Sequence, residues 1–369
     1  MTSMPGTRRR VTGGVDTHAD THVAAVIDEL GRILGTKSFC TDKKGYGSLL
    51  TWMERHGELT GVGVEGTGSY GAGLARHLAT HGVEVIEVIR PNRQVRRRRG
   101  KSDPTDAEAA ARAVLSGEAT GAPKSHDGAA ESLRALRVAR CGAVKARTMA
   151  INELRDLALT APEELRARLR PLSSEQRVQV AAGFRPGPLA DPLEAAKVAI
   201  RSVARRYQHL SEEIAGLDAA MAELVELAAP DALTAKQGVG VQVAATLVSA
   251  VGDNPERIAT EASFAALCGA SPVDASSGKN VRHRLNRGGD RQANSALWRI
   301  VHTRVAHDPR TIAYVERRKA EGKTDKDIIR CLKRYVAREI YKTLVPRPAT
   351  TRSCSGALGR DEELERKAT

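Results

Sequence analysis

The sequence predicts an α/β domain at the N-terminal end, followed by a chain that is helical almost throughout. Up to about residue 122, short apolar runs with strand character alternate with segments of helical spacing. From about residue 129 onward, apolar residues recur only at helical spacing. The 369 residues exceed the size of one compact domain, so we expect two domains and a projecting segment.

The first segment, 11–125, carries the strand signals. In order, they are a hairpin in VTGGVDTHADTHVAAVID, a strand in RILGTKSF, a helix in GYGSLLTWMERH, a strand in TGVGVEGT, a helix in GAGLARHLATHG and a strand in VEVIEVIR. Hairpin-joined strands followed by strand, helix, strand and helix are typical of the ribonuclease-H-like fold, a mixed sheet flanked by helices.

Residues 126–228 are predicted to form a helical coiled-coil arm. Eight apolar residues are spaced alternately three and four apart: Ile200, Val203, Tyr207, Leu210, Ile214, Leu217, Met221 and Leu224. This spacing is typical of a coiled-coil seam. It fits equally an intramolecular hairpin and an arm that joins two copies of the chain.

The third segment, 229–345, is predicted to be a helical and strongly basic domain. The chain has 58 Lys and Arg against 44 Asp and Glu, and within 279–338 the counts are 17 and 6. Most of the excess charge of +14 therefore lies in one segment, which indicates a polyanionic partner such as double-stranded DNA. Aromatic residues make up only 3% of the chain, which disfavours an extensive stacking surface. Residues 346–369 are predicted to be a disordered tail.

The five cysteines are scattered and form no CxxC pair, so the sequence predicts neither a disulfide framework nor a zinc site. No apolar run is long enough to span a bilayer. We therefore expect a cytoplasmic, nucleoid-associated protein without a membrane partner.

Four carboxylates are the candidate metal ligands. Asp16 and Glu65 lie in apolar strand patterns, where a charge is costly to bury without a cation. Asp103 and Asp106 lie three residues apart where Pro104 marks a helix start. Brought together, such oxygens bind Mg²⁺, and two ions about 4 Å apart support phosphodiester chemistry. Taken singly, Asp103 also fits a helix cap and Asp106 an exposed charge in the first helical turn.

A basic run precedes this helix. It comprises Arg93, Arg96, Arg97, Arg98, Arg99 and Lys101 and contains no acidic residue. The run is predicted to bind a phosphate backbone beside the metal site, although a solvated loop has the same composition.

Two short motifs follow in the third segment. Gly238 and Gly240 form a turn before an apolar helix, which fits both a helix-hairpin-helix phosphate site and a tight packing turn.

Farther on, Ser276 and Ser277 precede Gly278 in a loop with a basic rim. The basic residues are Lys279, Arg282, Arg284, Arg287 and Arg291. A cationic surround favours a serine alkoxide as a nucleophile, although Ser-Ser-Gly alone is also an ordinary flexible turn.

These motifs together resemble a known family. VDTHADTHVAAV, GVEGTGSYG, NRQVRRRRGKSDPTDAEAAARA, GVGVQVAATLVSAVGD and SSGKNVRHRLNRGGDRQANSALW occur in the order found in the insertion sequence 110 family of transposases, which is related to the Piv/MooV invertases. The resemblance covers residues 11–345.

The resemblance implies a RuvC-like domain whose tetrad, Asp16, Glu65, Asp103 and Asp106, binds Mg²⁺. It further implies a catalytic serine that forms a covalent phosphoserine link to DNA. Ser277, directly before the glycine, is the favoured nucleophile and Ser276 the alternative. Family members use a structured noncoding bridge RNA that pairs with donor and target DNA, and they act as multimers. The resemblance therefore implies RNA-guided excision and insertion of a mobile element by a dimer or tetramer.

Other functions remain compatible with the residues. A Holliday-junction-type nuclease would use the tetrad alone, with water as nucleophile, and both serines would be dispensable. A non-enzymatic nucleic-acid-binding protein would be unaffected by Asp16→Ala. A site-specific DNA invertase would use the same chemistry on a different arrangement of DNA.

Overall fold

The computed structural model describes residues 8–88, 102–276, 283–284 and 286–345. Its N-terminal part is a mixed α/β unit with a five-stranded sheet, and the remainder is mainly helical, which confirms the predicted fold class at this level. The strands of the sheet are β1 (Arg10–Thr17), β2 (Thr21–Asp28), β3 (Ile33–Cys40), β4 (Glu58–Glu65) and β5 (Val85–Val88). The helices of this part are α1 (Lys43–Glu54), α2 (Ala72–Thr80) and α3 (Asp103–Leu115).

The order of strands across the sheet is β3-β2-β1-β4-β5. β2 runs antiparallel to both β1 and β3, whereas β4 is parallel to β1 and to β5. The carboxyl ends of β1, β4 and β5 therefore lie at one edge of the sheet, which is where side chains from different strands can converge.

The two faces of the sheet are covered differently. On one face, α1 and α2 bury large side chains, including Leu49, Met53 and Leu74, against the strands. On the other face, α3 packs through small residues that are almost fully buried, such as Ala107 and Ala111. Small residues on a helix let its backbone come close to the element beneath it.

Two glycines make this close approach possible. A Cβ atom at Gly14 in β1 would lie 2.2 Å from the carbonyl oxygen of Ala107 and 2.3 Å from the amide nitrogen of Ala111. A Cβ atom at Gly63 in β4 would lie 2.7 Å from the carbonyl oxygen of Ala110. Gly14 and Gly63 are partners in the β1–β4 ladder, so they form one continuous floor under α3.

The remainder of the chain is mainly helical. Its helices are α4 (Ala129–Thr160), α5 (Glu163–Leu169), α6 (Ser174–Ala182), α7 (Pro192–Ala228), α8 (Asp231–Thr234), α9 (Val241–Val251), α10 (Glu261–Leu267), α11 (Arg291–His307), α12 (Pro309–Ala320) and α13 (Asp325–Leu344). A 3₁₀ turn spans Pro255–Arg257, and two short antiparallel strands, β6 (Val273–Asp274) and β7 (His283–Arg284), flank the loop that contains the serine motif.

The long helices α4 and α7 pack against each other in an antiparallel arrangement. Arg140 pairs with Asp218 near one end, and Glu153 pairs with Arg206 toward the other. At the far end, α5 and α6 close a separate apolar cluster that includes Ile200 of the predicted seam. At the near end, the first turns of α4 and the last turns of α7 join the core formed by α9, α11 and α13.

A short segment links the sheet to the helical core. Lys124 donates a hydrogen bond from Nζ to the carbonyl oxygen of Ser249 at 2.7 Å. Asp253 accepts bonds from the amides of Ala130 at 2.7 Å and Glu131 at 3.2 Å, and so caps α4 from a distant part of the chain. The start of α4 is therefore fixed to the helical core rather than free to pivot on the segment before it.

The described helices include none that combines the length and apolar character needed to cross a membrane. Among the described residues, Cys40, Cys141, Cys268 and Cys331 are free thiols. Burial raises the pKa of the Cys268 thiol to about 12, so this cysteine packs as an apolar group and does not act as a nucleophile.

We expect Gly14→Ala to destabilise the chain by about 2 kcal/mol or more, because the new methyl group would meet helix backbone that cannot move aside. The matched control is Gly47→Ala within α1, where a Cβ atom meets nothing within 4 Å. That change is expected to stabilise the chain by about 0.5 kcal/mol, because alanine is the better helix former. Urea unfolding measures both variants, and equal free energies of unfolding would contradict the described packing of α3.

Candidate metal centre and serine segment

Two of the predicted carboxylates occupy equivalent places on neighbouring strands. Asp16 lies two residues after Gly14 in β1, and Glu65 lies two residues after Gly63 in β4. Since side chains alternate across a sheet, both carboxylates are on the face that α3 covers. Glu65 is the last residue of β4, and its carbonyl oxygen accepts a hydrogen bond from the Thr17 hydroxyl at 2.8 Å.

The other two carboxylates come from the first turn of α3. The helix begins at Asp103, and Ser102 is its N-cap residue, so Asp103 does not serve as the cap. Asp106 is only 2% exposed, so it is not the solvated first-turn charge that the sequence also allowed. The side chain of Asp103 is half-exposed at the edge of the site.

These groups are electrostatically coupled. Asp16 is 7% exposed, and its pKa is raised mainly by burial, with further contributions from the negative charges of Asp106 and Asp103. His18 acts in the opposite direction and lowers the pKa of Asp16. The structure thus brings Asp16, Asp103 and Asp106 together, with Glu65 at the same edge of the sheet.

Another buried aspartate in the neighbouring strand has the opposite environment. The Asp28 carboxylate accepts hydrogen bonds from the amides of Leu30 and Arg32 and from the Arg32 guanidinium, at 2.8 to 3.0 Å. These bonds, led by the Arg32 amide, lower the pKa of Asp28. Asp28 is therefore a satisfied structural charge, whereas Asp16 is held where its charge is disfavoured, which is the pattern expected of a functional group.

His18 is a member of the site that the sequence analysis did not single out. Its Nε2 atom lies 3.3 Å from Oδ2 of Asp16 and 3.4 Å from Oδ1 of Asp103. The motif VDTH contained the signal, because a residue two positions after Asp16 leaves the strand at the same edge and on the same face. The sequence alone does not reveal that His18 reaches across to the start of α3.

The donor set fits a divalent cation. One ligand atom each from Asp16, His18 and Asp103 lie within 4.8 Å of one another. Carboxylate oxygens suit Mg²⁺ and Mn²⁺, and an added imidazole is compatible with Mn²⁺. A cation here would offset the raised pKa of Asp16, because an opposite charge favours the ionised carboxylate.

The serine segment is described only in part. Ser276 is exposed, and its amide donates a hydrogen bond to Oδ1 of Asp274 at 2.8 Å. Its hydroxyl also bonds Asp274, and this bond is the largest cause of the lowered pKa of that carboxyl. Ser277 lies outside the described residues.

The predicted phosphate-binding residues divide in the same way. Arg284, Arg287 and Arg291 are exposed around the end of the serine loop. The remaining basic residues lie outside the described part of the chain: Arg93, Arg96, Arg97, Arg98, Arg99, Lys101, Lys279 and Arg282.

The glycines of the predicted hairpin turn differ from each other. Gly238 has a φ of 86° and packs against α11, where an added Cβ atom would lie 3.1 Å from the Cα atom of Ile300. Gly240 is exposed and is the N-cap residue of α9. Gly238 therefore serves helix packing, and only Gly240 offers an open helix N-terminus.

Comparison with known proteins covers both parts of the chain. A family model for DEDD-type transposases of insertion sequence IS110, described as "Transposase", matches residues 13–161. A second model, "Transposase IS116/IS110/IS902 family", matches residues 231–316. The first match spans the four carboxylates and the second spans the serine segment, and both models describe transposases.

The chain belongs to the IS110 family of transposases. A curated relative, the "Insertion element IS110 uncharacterized 43.6 kDa protein" of Streptomyces coelicolor, is 33% identical over 130 residues. That alignment covers 34% of this chain and 32% of the relative, so the chain matches about a third of the relative's length.

We expect Asp16→Asn to raise the melting temperature of the metal-free chain at neutral pH, because the change removes a buried charge that its neighbours repel. The same change should abolish any increase in melting temperature caused by Mg²⁺ or Mn²⁺. Differential scanning fluorimetry with and without metal measures both effects.

Asp28→Asn is the matched control. It should lower the melting temperature, because the Asp28 charge is stabilised by its hydrogen bonds, and it should keep the metal response. A metal-induced shift that survives in Asp16→Asn would contradict the assignment of the site.

Proposed function

We propose that this chain is an RNA-guided, Mg²⁺-dependent DNA recombinase that excises and inserts a mobile element through a covalent phosphoserine intermediate. The observation that carries the proposal is the convergence of Asp16, Asp103 and Asp106 at one sheet edge, in a chain whose second family match spans the serine segment. A function that used only the carboxylates, or only the serine segment, would not explain why one chain contains both.

The proposed organisation has three parts. Residues 11–125 form a RuvC-like domain, which the strand order and the position of the carboxylates support. Residues 126–228 form a coiled-coil arm that serves assembly of a dimer or tetramer, and the antiparallel α4 and α7 support this assignment. Residues 229–345 form the serine-containing domain.

The carboxylates would hold the metal. Asp16 and Glu65 supply oxygens from rigid strands, while Asp103 and Asp106 supply oxygens from the first turn of α3. When bound, Mg²⁺ polarises the scissile phosphate and stabilises the oxygen that leaves it. His18 orients Asp16 and Asp103 by lying between them.

Ser277 is the proposed nucleophile. Its Oγ attacks the phosphorus atom, a Ser–O–P bond forms, the bond from phosphorus to a sugar oxygen breaks, and that oxygen takes up a proton. Attack by another DNA hydroxyl reverses these changes and releases the serine, so no oxidant or nucleotide cofactor is needed. Ser276 is the alternative. Its amide and hydroxyl both bond Asp274, which supports a structural role for Ser276 in stabilising the loop.

In this proposal, a structured noncoding bridge RNA selects the DNA sequences by pairing with donor and target DNA. The protein would then need to contact mainly the phosphate backbone, and the concentration of charge in residues 279–338 supports this mode.

A covalent-trapping experiment tests the proposal. The protein, co-expressed with RNA from its flanking DNA, is mixed with labelled donor and target duplexes and Mg²⁺ and run on a denaturing gel. We expect a slow, protease-sensitive DNA band that is lost in Ser277→Ala and in Asp16→Ala but kept in the matched control Ser276→Ala.

Other outcomes overturn the proposal in identifiable ways. Cleavage without a covalent band, unchanged in both serine variants, would make the chain a metal-dependent nuclease of the Holliday-junction type. A band that persists in Asp16→Ala would remove the carboxylates from the reaction. Inversion of the DNA between two sites, with the covalent band present, would make the chain a site-specific invertase.

A further inference from the structure

The exposed face of α11 (Arg291–His307) carries an aromatic ring and two exposed arginines. Trp298 is one of only two tryptophans in the chain, and it is 43% exposed although tryptophan side chains are usually largely buried. The other tryptophan, Trp52, packs against Phe39 and His56 in the N-terminal part.

The indole is held in a fixed orientation. The ring of His302, one helical turn farther on, stacks on it with the centroids 4.9 Å apart and an angle of 11° between the planes. One face of the indole is thus in contact with a parallel ring, while 43% of the residue remains exposed. A second planar group stacking on the indole would extend an existing stack.

Cations flank this ring on the same helix. Arg291 and Arg299 are exposed, and no described carboxylate forms a salt bridge with either of them. Residues 291–307 contain no Asp or Glu. Arg304, on another side of the helix, differs because it pairs with Glu339 at 2.7 Å.

A further arginine reinforces the charge from a neighbouring element. Arg137 of α4 donates a hydrogen bond to the side chain of Gln292. Burial is the main cause of the lowered pKa of Arg137; Cys141 and Asp290 act in the opposite direction, and the nearby positive charge of Arg299 adds a smaller decrease. Cations from two helices, Arg137 of α4 and Arg291 and Arg299 of α11, are thus found in this region, and such a concentration of positive charge favours binding of an anion.

We infer that Trp298, with Arg291 and Arg299, forms a platform that binds an unpaired nucleotide: the indole stacks on the base, and the guanidinium groups contact the flanking phosphates. The inference rests on the proposed action on nucleic acid and deepens it by assigning a place for a base that is out of the duplex. Every base has an aromatic face, so the platform tolerates any sequence.

The position of the platform suits this role. Arg291 is the first residue of α11 and follows the end of the serine loop, and Trp298 lies seven residues later, about 10 Å along the helix axis. This distance corresponds to about three nucleotide steps of 3.4 Å. A nucleic-acid strand that contacts Arg291 would thus reach the indole within about three nucleotides.

Tryptophan fluorescence tests the inference directly. In a Trp52→Phe background, Trp298 is the only tryptophan. We expect its emission to be quenched when a duplex carrying one unpaired adenine is titrated into the full chain, and unchanged at saturation with the fully paired duplex of equal length.

Affinity measured by fluorescence anisotropy in the otherwise wild-type chain provides the second readout. Trp298→Ala should weaken binding of the duplex with the unpaired base by about tenfold or more and leave the paired duplex unaffected. Trp298→Tyr should restore most of the affinity, because a phenol ring also stacks. Tyr335→Ala, which removes another exposed aromatic ring from α13, is the matched control and should change neither affinity.

Each contrary result has a distinct meaning. Equal quenching by both duplexes, or unchanged affinity in Trp298→Ala, would overturn the platform while leaving the proposed recombinase intact. A chain that binds neither duplex would overturn both proposals.

Discussion

The candidate metal centre depends on how closely one helix backbone approaches the sheet. At Gly14 and Gly63 there is no room for a side chain between the strands and α3. Because the backbone of α3 lies so close to the sheet, the carboxylates of its first turn lie beside the ends of β1 and β4. Alternation along the strands then places Asp16 and Glu65, each two residues beyond a glycine, on the face that the helix covers. The cost is a buried carboxylate, Asp16, whose pKa is raised by burial and by its acidic neighbours.

The helical part is coupled to this site through a short and well-anchored segment. Asp253 caps the start of α4, and Lys124 bonds the carbonyl oxygen of Ser249, so the chain leaving the sheet is fastened to the core around α9. The same core positions α11, because Gly238 lets the preceding turn pack against Ile300. The basic face that carries Trp298 is thus held by the same apolar core that receives the linker. The candidate metal centre on the sheet and the proposed nucleotide platform on α11 are therefore connected through fixed contacts.

Much of this architecture could be predicted from the sequence, and the exceptions have physical reasons. The apolar strand patterns placed Asp16 and Glu65 in strands, and Pro104 marked the start of α3 within a residue. Two consequences of tertiary packing could not be predicted from the sequence. One is that Asp106 is buried while Asp103 is half-exposed, and the other is that His18 lies between Asp16 and Asp103. Gly238 fitted two functions by spacing, and only its contact with Ile300 assigns it to packing. Overall aromatic content argued against stacking, but one exposed ring on a basic helix is too local to influence a composition.

We propose that the sheet edge and the first turn of α3 form one metal site. Anomalous diffraction from crystals of the chain soaked in Mn²⁺ tests it most directly. We expect a manganese peak about 2 Å from a carboxylate oxygen of Asp16, with further oxygens from Glu65 and the first turn of α3. Manganese bound only elsewhere, with Asp16 still in contact with His18, would contradict it.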